Sequence, residues 1–276
     1  MTTEKDLCVI HANCQAEPLI ELLALSPAFS KLWETKLYTN YLKEKVPQGE
    51  LDRCGLFLYQ QLGQEWGELA SAALTARLNP AAGAVCIPNM FFKGYWPFWT
   101  STSPIDFGDS LLDKLIDAGA QKPEILKIYY YGDLSKFVDI KAVAEESLDI
   151  EEEKDRRGPI KVAPLMRELW QQEDLFYTCN HPAKRLLLST ANQLLKHLGF
   201  APLDEKLTGA YLPEYANFEL PIHPQVAEAL GLSFIGPEHK FNIFGRGLTF
   251  LQYISRYIDC RQQGYEDGFL GYLQLV

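Results

Sequence analysis

Leu7-Cys8-Val9-Ile10-His11-Ala12-Asn13-Cys14-Gln15-Ala16-Glu17-Pro18-Leu19-Ile20-Glu21-Leu22-Leu23 is the stretch on which the fold turns. The apolar run Leu7 to Ile10 has the length and composition of a short buried strand. His11, Ala12 and Asn13 make a polar turn, and from Gln15 onward Leu19, Leu22 and Leu23 fall at helical spacing. Pro18 suits a first helical turn, where its missing N–H goes unnoticed. Cys14 therefore stands where a strand hands over to a helix. Unpaired N–H groups and the helix dipole favour an anion there, so a thiolate or an oxyanion is stabilised. A small, inert cysteine packed in a tight turn fits the same residues.

Further strands and helices alternate downstream. Lys36 to Leu42 contains a second strand, and Gly55-Leu56-Phe57-Leu58-Tyr59 a stronger one that ends in Gln60-Gln61. Glu65 to Leu78 reads as a helix, and Ala84-Val85-Cys86-Ile87 as a strand stopped by Pro88-Asn89. Strand, helix, strand, strand, helix, strand in that order predicts an α/β fold with parallel strands. Pro88 to Pro104 fits neither period: its aromatic residues either pack under the domain or line a pocket.

Beyond it the chain turns helical and more polar. Ser110–Ala118 and Pro123–Tyr131 are amphipathic, although Ile128 to Tyr131 also suits a strand, and Glu145 to Arg157 reads as a solvated, charged helix face. Val162 to Gln171 adds a helix. Leu175-Phe176-Tyr177-Thr178 is again a strand, followed by Cys179-Asn180-His181-Pro182 and a helix to Leu198, with Asn180 or His181 as its cap. Pro224–Leu230 and Leu248–Arg261 complete the helices. The expected organisation is one α/β domain over 1–276 with a helical insertion at about 105–172.

Composition narrows the classes. The 276 residues are 47% hydrophobic and 22% charged, enough for a large core, and the net charge of −10 excludes non-specific nucleic-acid binding. MTTEKD has no secretory pattern, and no apolar run approaches the roughly 18 residues of a membrane span. The six cysteines are scattered without a C-x-x-C pair, as expected of reduced thiols in the cytoplasm, and no metal site is indicated.

In a parallel sheet, ligands bind beyond the carboxyl ends of the strands. That rule gathers Cys14, Gln60, Gln61, Asn89, Asn180 and His181 on one edge. A cysteine and an imidazole within reach of each other make an activated nucleophile, and helix N-termini supply N–H groups for an oxyanion. His11 is a second candidate base, while His223 opens a helix as its cap. Lys184 and Arg185, one turn after His181, suit a phosphate, and Arg156, Arg157 and Lys161 form a second basic group. Ordinary capping and surface charge explain each of these residues equally well. The chain lacks G-x-x-x-x-G-K-[ST], G-x-G-x-x-G after a strand, G-x-S-x-G and H-E-x-x-H.

Three stretches carry a resemblance: His11-Ala12-Asn13-Cys14-Gln15, Pro88-Asn89 through Gly94-Tyr95-Trp96-Pro97, and Leu175 through Asn180-His181-Pro182. Pro221-Ile222-His223-Pro224 fits more loosely. In these the chain resembles the WcbI family of polysaccharide-biosynthesis proteins, linked to acetyl transfer in bacterial capsule assembly. The resemblance implies an SGNH-like or flavodoxin-like sheet, coenzyme A or acetyl-CoA as ligand, and a saccharide or glycolipid acceptor. It places Cys14 and His181 in catalytic roles, with Gln15 beside them at the oxyanion. Asn13, Gln60, Asn89, Tyr95, Asn180, Lys184 and Arg185 become candidates for holding the cofactor. The resemblance names no third catalytic residue; Asp174 and Glu238 are candidates. Two other readings stay open, an SGNH-like carbohydrate esterase and a non-catalytic sugar- or nucleotide-binding accessory protein.

Overall fold

In a computed structural model, which describes residues 5–265 and 268–275, the opening stretch folds as strand, turn and helix. β1 (Asp6–Ala12) buries every residue after Asp6. The next helix, α1 (Ala16–Ala24), buries Ala16, Pro18, Leu19, Leu22 and Leu23. There follow α2 (Pro27–Leu32), β2 (Trp33–Thr39), α3 (Gln48–Arg53), β3 (Cys54–Tyr59), α4 (Ser71–Thr75) and β4 (Gly83–Cys86). The four strands form one parallel sheet in the order β2-β1-β3-β4. β1 lies inside it, and Cys8, Val9 and Ile10 are buried in succession because both faces of a parallel sheet are covered. The fold is α/β, a central parallel sheet flanked by helices.

Beyond β4 come the antiparallel pair β5 (Trp99–Thr100) and β6 (Gly108–Asp109), then α5 (Ser110–Asp117), α6 (Lys122–Tyr129), α7 (Ile140–Asp155) and α8 (Ala163–Leu169). β7 (Phe176–Thr178) and β8 (His181–Pro182) pair, and α9 (Lys184–His197), α10 (Glu205–Thr208) and α11 (Pro224–Leu230) follow. The hairpin of β9 (Phe241–Ile243) and β10 (Arg246–Leu248) precedes α12 (Phe250–Gln263) and α13 (Gly268–Leu275).

Packing divides the chain into two compact units. The first comprises residues up to Met90, Asp149–Arg167 and Pro182–Glu214, and holds the sheet with α1 to α4, α9 and α10. The second comprises Phe91–Leu148, Glu168–His181 and the chain from Tyr215 onward, with α5, α6 and α11 to α13. The helical stretch at 105–172 is thus shared: its residues to Leu148 cluster in the second unit, and Asp149–Arg167 cluster with the sheet.

Several elements differ from their predicted form. The helix expected over Glu65 to Leu78 is a 3-10 segment, Gln64–Leu69, followed by the short α4. Gly67 adopts φ 58° and ψ −121°, a conformation that interrupts any helix and that side chains resist. β2 begins at Trp33 rather than Lys36, and Asn40–Leu42 is a 3-10 turn. Ile128 to Tyr131 does not form a strand, for α6 runs through Tyr129. The charged run in α7 is not uniformly solvated. Glu151 is fully buried, and the Asp155 carboxylate accepts hydrogen bonds from the Val162 and Ala163 N–H groups at the start of α8.

Candidate active site

The carboxyl edge of the sheet is a web of amides. The Asn13 N–H donates to Gln60 Oε1 (2.8 Å), and Gln60 Nε2 donates to Asn13 Oδ1 (3.1 Å) and to the Pro88 carbonyl (3.0 Å). Asn13 Nδ2 donates to Asn89 Oδ1 (3.1 Å). The turns after β1, β3 and β4 are therefore tied by Gln60 and Asn89, which the strand-end rule gathers, through Asn13. Gln60 is 1% exposed, so these bonds form where unpaired amides are costly.

Cys14 sits inside this web, half-buried, between the end of β1 and the start of α1. All six cysteines lie among the described residues, and the other five are buried. Burial pushes the Cys14 thiol up, its own N–H pulls it down, and the negative charge of Glu17 raises it again. The helix start does not leave a standing thiolate. Gln15 is fully employed: its Nε2 donates to the Met90 carbonyl (2.7 Å), its Oε1 accepts the Met90 N–H (3.0 Å), and its own N–H donates to Asn13 Oδ1 (3.0 Å). Its side chain fixes the turn around Cys14 and does not point a free donor at a substrate.

His11 is not in a turn. It is the sixth residue of β1, fully buried opposite Tyr38 and Tyr59, with both ring nitrogens lacking a hydrogen-bond partner. Burial lowers its pKa, so it is a neutral core imidazole.

Two residues outside the predicted set also border this edge. Lys154 of α7 donates to the Asn89 carbonyl (2.9 Å) and pairs with Glu151 (2.5 Å). With Arg157, Gln61 and Cys86 it lines a cleft at the ends of β3 and β4. Gly158 is required there, since a Cβ would lie 2.5 Å from the Cys86 carbonyl oxygen. Tyr41, 55% exposed, has its phenol pushed up by burial and then by the charge of Cys14, Glu17 and Glu44. Lys154 is hidden in sequence by its charged neighbours, and Tyr41 by lying just past its strand.

Of the other predicted basic residues, Lys184 donates to the Gly209 carbonyl (2.7 Å) at the start of α9, and Arg185 beside it is exposed. Arg156 pairs with Glu153, and Lys161 donates to the Asp155 carbonyl.

Asn180 and His181 belong to the second unit, in the turn from β7 into β8. They do not cap α9, whose N-cap is Ala183 without a side-chain bond. Asn180 Oδ1 accepts from the Thr178 hydroxyl (3.0 Å), which shapes the turn. The His181 ring lies flat on Tyr215, centroids 4.4 Å apart at 8° between planes, with the Phe107 edge at 6.4 Å. Burial lowers its pKa to about 4, so its imidazole is neutral at pH 7. Among the described residues no carboxylate hydrogen-bonds it. Asp174 is held by the Phe176 N–H (3.3 Å) and pushed up to about 7 by burial, and Glu238 is exposed.

Tyr95 is a core residue of the same unit. It is fully buried, its hydroxyl donates to the Trp170 carbonyl, and its ring packs edge-on against Phe92, Trp96 and Phe234. The aromatic loop thus packs inward at Phe92, Tyr95, Trp96 and Phe98, and Tyr95 has no solvent-exposed surface. His223 caps α11, its Nδ1 accepting the Gln225 N–H (3.0 Å).

A family model described as polysaccharide biosynthesis enzyme WcbI matches residues 7–203, a span that includes the sheet from Leu7 onward, Cys14 and His181. This chain belongs to the WcbI family. A solved structure of WcbI, a polysaccharide biosynthesis enzyme, shares the fold with a TM-score of 0.74 at 17% identity, over 98% of this chain and 99% of that one. That structure is of the native protein without a disulfide bond between coenzyme A and its own Cys14. No curated protein matches the chain. No helix among the described residues is long and apolar enough to cross a membrane, and they hold no cluster of side chains suited to a metal ion.

Proposed function

We propose that this WcbI-family chain is an acyltransferase that moves an acyl group, acetyl in the simplest case, from a coenzyme A thioester to a saccharide or glycolipid hydroxyl. The observation that carries this reading is Cys14, a half-buried thiol braced by Asn13, Gln60 and Asn89 at the carboxyl edge of a parallel sheet. The solved WcbI structure is described as lacking a disulfide bond between coenzyme A and its own Cys14, and this mention of coenzyme A together with a cysteine supports the choice of cofactor. Arg157 and Arg185, both exposed, offer positive charge to its phosphates.

In the covalent route the Cys14 sulfur attacks the thioester carbonyl, a base takes its proton, and the coenzyme A thiol leaves with that proton. The acceptor hydroxyl then loses its proton to the same base and takes the acyl group from sulfur, and that proton returns to the leaving Cys14 sulfur. Burial keeps the Cys14 thiol protonated at rest, so this route depends on a base at the moment of attack. We assign that base to His181 on the family resemblance; it is neutral at pH 7, and burial makes it a weaker base than a free imidazole. The same observation favours a second route, in which His181 deprotonates the acceptor for direct attack and the cysteine stays a thiol.

Intact-mass spectrometry after mixing with acetyl-CoA tests the reading. The covalent route predicts one acetyl adduct of about 42 Da that is absent in Cys14→Ser. Turnover that survives in Cys14→Ala but not in His181→Ala selects the direct route. Absence of saturable coenzyme A binding in titration calorimetry overturns both.

A further inference from the structure

A cleft of about 470 Å³ opens at His181, and every residue lining it belongs to the second unit. Its size is that of a small-molecule site. Its walls are the loop from Trp99 to Phe107 and the turn Cys179-Asn180-His181. The loop is fixed in shape. The Tyr257 hydroxyl accepts the Asp109 N–H (2.9 Å), donates to Asp113 Oδ1 (2.9 Å) and meets the Ser103 hydroxyl at 3.4 Å. Phe107 has φ 52°, rare for a bulky residue, and such a conformation persists only where its surroundings over-determine it. Gly108 lets the loop close on itself, since a Cβ there would lie 1.9 Å from that of Ser103.

The groups that face a ligand here have one electrical character. Trp99 and Phe107 are half-buried and bring aromatic rings to the cleft. Ser101 and Asp106 are exposed, and neither side chain makes a hydrogen bond within the protein. The His181 ring, stacked on Tyr215, is neutral at pH 7 and makes none either. Among the described residues that line the cleft there is no lysine or arginine. An ionised carboxylate only accepts hydrogen bonds, and it repels an anion brought beside it. The ligand that suits these walls donates hydroxyls along one edge, lays C–H surface on the rings and carries no negative charge. A sugar phosphate or a uronate fails on charge.

We propose that this cleft binds an uncharged sugar ring, with Asp106 accepting from two neighbouring hydroxyls and Trp99 and Phe107 covering its C–H surface. The inference rests on the reading of the acceptor as a saccharide whose hydroxyl meets His181, and deepens it by making Asp106 the residue that selects the acceptor's charge.

Ligand-observed NMR titration of the full chain tests it without any thioester. The probes are the methyl glycosides of glucose, galactose and mannose, each beside its own uronate. At least one neutral glycoside binds with a millimolar Kd, and its uronate binds more weakly by about tenfold or more. Asp106→Asn removes the charge and keeps an acceptor; the side chain is exposed and unbonded, so the fold is retained. The variant weakens the neutral glycoside about threefold to tenfold and closes most of the gap to the uronate. The proposal is overturned if no neutral glycoside binds by about 100 mM. A uronate bound as tightly as its neutral partner overturns it too, as does a gap that Asp106→Asn leaves unchanged. The transfer reading falls on a different result, the failure of coenzyme A to bind, and the glycoside pattern upholds the sugar site even then.

Discussion

Gln60 shows what a single side chain does at this site. One buried amide holds the turns after β1 and β4 to the end of β3, through the Asn13 N–H, Asn13 Oδ1 and the Pro88 carbonyl. Gln60→Leu has nearly the same volume and none of these bonds, so a half-buried N–H and a half-buried carbonyl lose their partner. The expected loss is about 2–4 kcal/mol of stability, measured as a lower urea midpoint at unchanged slope. A midpoint equal to the wild type would mean that the web is not what braces Cys14. Cys14, Gln60 and Asn89 were legible in the sequence because parallel strands put all their carboxyl ends on one edge, and Asn13 entered through the family resemblance. Tyr95 was not legible, since an aromatic loop looks the same in sequence whether its rings face a core or a ligand. The fate of Gln15 also needed coordinates, because a partner 75 residues away at Met90 leaves no local signal.

Among the elements, periodicity located the cores of helices and strands and missed where geometry interrupts them. Glu65 to Leu78 has helical composition throughout, yet Gly67 breaks it. Gly67→Ala has open space for its Cβ, so strain at positive φ is the sole penalty, about 1–2 kcal/mol as a lowered melting temperature. No loss would show that this segment relaxes into the continuous helix its composition suggests. The charged run of α7 teaches the complementary lesson. Glu151, Lys154 and Asp155 face protein because neighbours of opposite need, the Asn89 carbonyl and the N–H groups of α8, lie against them. Charge density alone does not reveal which side of a helix is covered.

For the molecule as a whole, buried titratable groups set opposing pH dependences. His181 and His223 have pKa values lowered by burial to about 4 from the usual 6.5. The unfolded chain takes up their protons first, so the stability they support is lost as pH falls from 6.5 toward 4. Asp109 and Asp174 are raised by burial to about 6 and about 7. There the folded chain binds the proton first, and stability rises as pH falls through the same range toward the usual carboxylate value. The two trends offset each other. His223→Asn retains an acceptor to cap α11 and removes one of the opposing groups. Its stability deficit against the wild type should shrink by roughly 2–3 kcal/mol between about pH 8 and about pH 4.5, read from urea unfolding at each pH. A constant deficit would show that His223 titrates normally.

What the sequence determined by itself was the α/β class, the strand-end position of Cys14 and the WcbI resemblance, because these depend on local periodicity and short contiguous motifs. Which polar residues are spent on holding the backbone, which imidazoles are kept neutral, and which charge lines the cleft at His181 were decided only by the tertiary structure. Burial and hydrogen-bond partners come from residues far apart in the chain, and the dielectric and the geometry they create exist only after folding.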